Sequence, residues 1–163
     1  MSSVFWKRVA MSEVKLQVYL LAENRLFREA LSRILNKRND IRVVGAASFS
    51  NLLLETVAEL KPDILLSDAG ALSGTQSTFW PQLRKLLPQL KVIMIGMDAD
   101  EDSFLSSVRQ GAVGYVLKDA SATEVATAVR AVATSLRAWS FASSWAKSCV
   151  GLILGSRGAA FSA

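Results

Sequence analysis

A chain of 163 residues with 51% hydrophobic residues and a mean hydropathy of +0.29 has apolar material for one domain with a sizeable core, which excludes a disordered chain. There is no histidine and a single cysteine, Cys149, so histidine-based catalysis, histidine-ligated zinc, a phosphohistidine on this chain and an internal disulfide are all excluded. The net charge of +5 does not predict a basic groove: Arg130, Arg137, Lys147 and Arg157 all follow the last acidic residue, Glu124, and the body before them is nearly neutral.

No apolar run approaches the ~20 residues of a membrane span, and no apolar segment of ~7–15 residues near the N-terminus suggests a secretory signal. With one cysteine, this predicts a cytoplasmic chain without membrane contact. Residues 1–13 read as an N-terminal extension, with Met11 a candidate second start. The ordered pattern covers 14–134.

KLQVYLL (15–21) is a β-rich run and reads as strand one. Asn24 is placed to cap a helix through about Asn36, with Leu26, Phe27, Ala30, Leu31, Ile34 and Leu35 at helical spacing. IRVVGAA (41–47) is strand two. Ser50 is placed to cap a second helix over 51–60, with Leu53, Leu54, Val57 and Leu60 on one face and Pro62 as its stop. DILLS (63–67) is a short buried strand that runs into Asp68, and 69–78 reads as a loop.

A third helix near 79–87 stops at Pro88, and KVIMIG (91–96) is strand four. Asp98, Asp100, Glu101 and Asp102 gather at the start of a fourth helix, where the helix dipole favours negative charge; a solvated helix start explains them better than a metal site. Gly111 closes that helix, VGYVL (113–117) is strand five, and Ser121-Ala-Thr-Glu124 is a capping box that opens a fifth helix through about Ala133. Residues 135–163 form an atypical tail, read as one helix at most and then a mobile end. Five strands alternating with five helices predict a three-layer α/β domain around a buried parallel sheet.

In such a sheet, ligands sit outside the carboxyl ends of the strands. Here strand one ends in Ala22-Glu23, strand three in Asp68, strand four in Gly96 and strand five in Lys118. Two carboxylates and a lysine therefore meet at one edge. Carboxylates with water suit Mg²⁺, and the lysine suits phosphoryl oxygens. An aspartate beside a cation can attack phosphorus and form an acyl phosphate. Position alone allows equally an Asp–Lys ion pair that closes the sheet edge without chemistry.

The segments VYLLAENRLFREAL, KPDILLSD, KVIMIGMDADED and RQGAVGYVLKDASATEVATAVRAV resemble the receiver domains of bacterial response regulators, and most closely those of the NarL/LuxR type. The resemblance covers about 15–134. It implies a flavodoxin-like (CheY-like) fold with strand order 2-1-3-4-5. It also implies phosphorelay signal transduction, in which a sensor histidine kinase passes a phosphoryl group to Asp68, with control of transcription in a full-length parent. By the same resemblance Lys118 contacts the phosphoryl oxygens. Glu23, Asp68 and the backbone carbonyl of Gly70 hold Mg²⁺, and Gly96 and Tyr115 stand at switch positions.

The sequence departs from the family pattern at the first acidic position, which is Ala22, and at the strand-four hydroxyl, which is Gly96. Met97 stands where a small residue is usual, and Ala71-Leu72 replaces Met-Pro. Fewer carboxylates imply weaker Mg²⁺ binding. Without a hydroxyl at 96, one contact that distinguishes the two states of a switch is missing, and Tyr115 then reads more readily as an aromatic packed at the sheet edge.

Two other readings compete. One is an atypical receiver that dimerises or binds partners without phosphorylation. The other is a small α/β enzyme or flavin protein, which the absence of a glycine-rich phosphate loop after strand one disfavours; no enzymatic activity is expected. A homodimer is expected through the helix-five region, where Val125, Ala128, Val129 and Val132 form a small apolar face. Residues 135–163 are too few for a helix-turn-helix module, so DNA binding is not expected of this chain itself, and a truncated product or shifted frame is expected after about Thr134.

Overall fold

The computed structural model describes residues 14–68, 78–97 and 101–134. The N-terminal extension, the loop with Gly70, Asp98 and Asp100, and the tail lie outside the described residues.

Strand β1 (Leu16–Leu21) leads into α1 (Arg25–Asn36), whose start is fixed by Asn24: its Oδ1 accepts the Phe27 N–H at 3.0 Å. After β2 (Ile41–Ala47), helix α2 (Leu53–Leu60) begins two residues later than the sequence pattern suggests. Ser50 contributes its backbone carbonyl, which accepts the Leu53 N–H at 3.1 Å, and no side chain caps the helix. Lys61 then closes the helix in a left-handed cap at φ 45°, its N–H donating to the Val57 carbonyl at 3.0 Å, and Pro62 cannot continue the helix.

Strand β3 (Ile64–Asp68) includes the aspartate itself. Helix α3 (Phe79–Leu86) tolerates Pro81 because the first turn needs no N–H from it. Strand β4 (Lys91–Met97) precedes α4 (Glu101–Arg109), beyond which Gly111 takes φ +86°. After β5 (Gly114–Leu117), helix α5 (Ala122–Thr134) opens on a reciprocal capping box. There the Ser121 N–H donates to Glu124 Oε2 at 2.6 Å, and the Glu124 N–H donates to Ser121 Oγ at 3.3 Å. The Ser121 N–H and hydroxyl hold the Glu124 carboxyl below its ordinary range.

All strand pairings are parallel and the order is β2-β1-β3-β4-β5. Alternate residues feed two cores. Val18, Leu20, Ile64, Leu66 and Ile93 meet Leu31 and Leu35 of α1 and the buried face of α5. Tyr19, Leu21, Leu65 and Met94 meet Val57 of α2 and Phe79 and Leu83 of α3. Such burial of an aliphatic side chain contributes about 1.5–3 kcal/mol. It explains why the central strands are apolar on both faces.

Two details correct the sequence pattern. Only Leu31 and Leu35 of the α1 set are buried, while Leu26 is 76% exposed. Val125, Ala128, Val129 and Val132 of α5 are buried against the sheet, so this apolar face is not available to a second copy.

Polar ties close the edges. Arg130 on α5 grips Asp40 in two hydrogen bonds, Nε to Oδ2 at 2.5 Å and Nη2 to Oδ1 at 3.0 Å. Lys91 Nζ donates to the carbonyls of Val132 at 2.8 Å and Ala133 at 3.3 Å, a cation on the last turn of α5.

Candidate functional site

The β1–α1 loop carries the first two positions of the edge. Ala22 is buried and offers no side-chain ligand; its N–H donates to the Ala47 carbonyl at 3.1 Å. Glu23 is exposed. Arg28, one turn into α1, fastens this loop: its Nη1 donates to the carbonyl of Ala22 and to that of Glu23 at 2.9 Å. The Glu23 carboxylate is engaged as well, since its Oε1 accepts the Phe49 N–H of the β2–α2 loop at 3.0 Å.

Phe49 continues the connection. Its ring meets Phe79 edge-on with centroids 5.4 Å apart, and Phe79 meets Trp80 in the same manner at 5.1 Å. The Glu23 side chain is thus joined, through one backbone amide, to an aromatic trio at the start of α3. Sequence reading missed Phe49 and Arg28, because a bond to a backbone amide 26 residues away leaves no local signature.

Asp68 ends the central strand β3, half-buried and paired in register with Ile95 of β4. The next residue of β4, Gly96, takes φ +72°, and a Cβ built on it would stand 2.7 Å from Asp68 Oδ1. The β4–β5 register shifts in this stretch, between Met94 and Met97. The glycine is therefore more than a missing hydroxyl: the carboxylate fills the space that a side chain would use.

The residue before Asp68 is also unusual. Ser67 is fully buried, and its Oγ has no hydrogen-bond partner among the described residues. Lys118 is exposed in the turn after β5. The Tyr115 ring is 9% exposed and belongs to the core cluster with Met94 and Leu21. The structure thus brings Glu23, Asp68, Gly96 and Lys118 to one sheet edge, and places Tyr115 inward from it.

The donor chemistry fits a small hard cation, with fewer protein ligands because Ala22 supplies none. Glu23 and Asp68 supply carboxylate oxygens from adjacent strands, and Mg²⁺ commonly keeps several waters beside one or two carboxylates. Among the described residues no three acidic, histidine or cysteine side chains gather as a metal-holding group.

A doubly wound sheet of order 2-1-3-4-5, with acids and a lysine at its carboxyl edge, defines a flavodoxin-like signalling or binding fold. The family pattern of the response regulator receiver domain matches residues 18–130, and the chain belongs to that family. The transcriptional regulatory protein MctR of Rhizobium johnstonii is 33% identical over 121 residues, covering 73% of this chain and 56% of the relative. The response regulator protein VraR of Staphylococcus aureus is 31% identical over 117 residues, covering 71% and 55%. The chain therefore spans about half the length of these curated relatives.

Among solved structures, the signal receiver domain of NarL from Mycobacterium tuberculosis superimposes with a TM-score of 0.66 at 28% identity, covering 75% of this chain and 98% of that one. A LuxR-family regulator from Aurantimonas, at 21% identity and a TM-score of 0.67, shares the fold. Receiver domains of two-component systems interact with histidine kinases and generally bind Mg²⁺ at the phosphorylation site. Among the described residues no helix is long and apolar enough to cross a membrane.

Proposed function

We propose that this receiver accepts a phosphoryl group at Asp68 from the phosphohistidine of a sensor kinase. The observation that carries the reading is the placement of Asp68, half-buried at the carboxyl end of the central strand, between the ends that bear Glu23 and Lys118. In the transfer, an Asp68 carboxylate oxygen bonds to phosphorus, the P–N bond breaks, and the imidazole nitrogen leaves with its electron pair. Lys118 offers a positive charge to the phosphoryl oxygens.

Glu23 and Asp68, with the backbone carbonyl of Gly70, would hold Mg²⁺, which supplies charge neutralisation for the incoming phosphoryl group. The missing carboxylate at Ala22 weakens that site. The chain acts as a phosphoacceptor rather than an enzyme, in the cytoplasm. Control of transcription belongs to a longer parent with a DNA-binding module. Pairing of two copies would use the outer, polar side of α5, where Thr123 and Thr127 are exposed.

The test is intact mass after incubation with Mg²⁺ and acetyl phosphate, in which the P–O bond to acetate breaks as the bond to Asp68 forms. A gain of one phosphoryl group that disappears in Asp68→Asn supports the reading. No gain under conditions that modify an ordinary receiver refutes it and favours an interaction module that works without phosphorylation.

A further inference from the structure

Glu23 has two competing uses in one side chain. Its Oε1 now accepts the Phe49 N–H, and Phe49 lies in the loop after β2, on one side of β1. Asp68 ends β3, on the opposite side of β1. A cation shared between the two carboxylates draws the Glu23 side chain towards β3 and away from the Phe49 amide. We propose that Glu23 is a latch, so that Mg²⁺ binding at the acidic edge releases the β2–α2 loop and disturbs the Phe49–Phe79–Trp80 packing at the start of α3. This rests on the Mg²⁺ site proposed above.

The observations supply both ends of the coupling. One end is a single hydrogen bond, 3.0 Å long, at an exposed position. The other is a contiguous aromatic contact, Phe49 on Phe79 and Phe79 on Trp80, with Phe79 and Trp80 buried. Losing the amide's acceptor leaves the Phe49 backbone to water, while its ring stays packed against the core beside Phe79, so a movement of the loop is felt there. Coupling of this kind is reciprocal: what holds the loop on Glu23 opposes the cation, and what loosens it favours the cation. The route starts at Glu23 and Phe49 and not at Gly96, and it ends in the core cluster that also holds Tyr115.

The experiment is a Mg²⁺ titration of the full chain followed by the backbone amide resonances of Asp68 and Phe49 and by the indole N–H of Trp80, assigned with a Trp80→Phe variant. All three are expected to shift along one saturable curve. Glu23→Gln, which keeps an oxygen for the Phe49 N–H but loses the charge, is expected to lose the Phe49 and Trp80 shifts. Phe49→Leu is expected to keep the Asp68 shift and silence Trp80. A saturable Asp68 shift with Phe49 unmoved overturns the latch while leaving the metal site intact. No shift at Asp68 up to tens of millimolar Mg²⁺ overturns the metal site and the latch together.

Discussion

Asp68 Oδ1 lies 2.7 Å from the point where a Cβ on Gly96 would stand, so β4 gives its side-chain space to the carboxylate of its neighbour. The obvious repair of the pocket, restoring a hydroxyl at this position, is therefore expected to fail. Gly96→Ser must hold φ near +72°, which costs an L-residue about 1–2 kcal/mol, and it must push the Asp68 carboxylate aside. Urea unfolding should show a lower midpoint at an unchanged slope, and intact mass should show no gain in acetyl phosphate labelling. A variant as stable as the parent and better labelled would contradict this account.

Ser67 gives a prediction of opposite sign. Its hydroxyl is buried and lacks a partner among the described residues, so it bears a desolvation cost without a compensating bond. Ser67→Ala is expected to raise stability by about 1 kcal/mol. A melting temperature below that of the parent would reveal a hydrogen bond that the hydroxyl makes elsewhere.

The Arg130–Asp40 pair sets a pH dependence. The Arg130 guanidinium holds the Asp40 carboxyl below its ordinary range, chiefly by hydrogen bonding, against a smaller opposing effect of burial. A depressed folded-state value means the pair stabilises above the unfolded carboxyl's range and stops doing so as pH falls through the folded one. Both partners are about half exposed, so the effect is small and screened. The stability gap between the parent and Asp40→Asn should be present near neutral pH, close on acidification below about pH 4, and narrow in high salt. A gap that persists at low pH would assign the effect to packing.

Gly111 is expected to resist substitution for two separable reasons. Its φ is +86°, and the guanidinium of Arg84 lies where a Cβ would go. Gly111→Ala should destabilise by more than the ~1–2 kcal/mol of a left-handed alanine. In the Arg84→Ala background the excess should vanish and the backbone part remain, a non-additivity that a double-mutant cycle reads directly. Full additivity would mean that Arg84 simply moves away.

Local chemistry made much of this fold readable. Asn24 and the Ser121/Glu124 box fall where their side chains reach nearby amides, and both bonds form. The apolar runs gave the central strands because burial on both faces demands them, whereas edge strand β2 has only Ile41 fully buried. Ser50 misled, because a nearby carbonyl can serve a helix start as well as a hydroxyl can. The site was readable as a set of strand ends and no further. A letter G at 96 reports a missing hydroxyl, but not a positive φ or the carboxylate that fills the gap. The hold of Phe49 on Glu23, and the buried state of the α5 apolar face, depend on where distant segments meet.

Lys91 begins β4 and clamps the carbonyls of Val132 and Ala133, while Gly96 near the other end of the same strand cradles Asp68. One strand thus reaches from the acidic edge, where it leaves room for the carboxylate, to the last turn of α5, which its first residue ties down. The last turn of α5 up to Thr134 is thereby bolted to the sheet by a side chain from a strand, and not held by the helix's own hydrogen bonds alone.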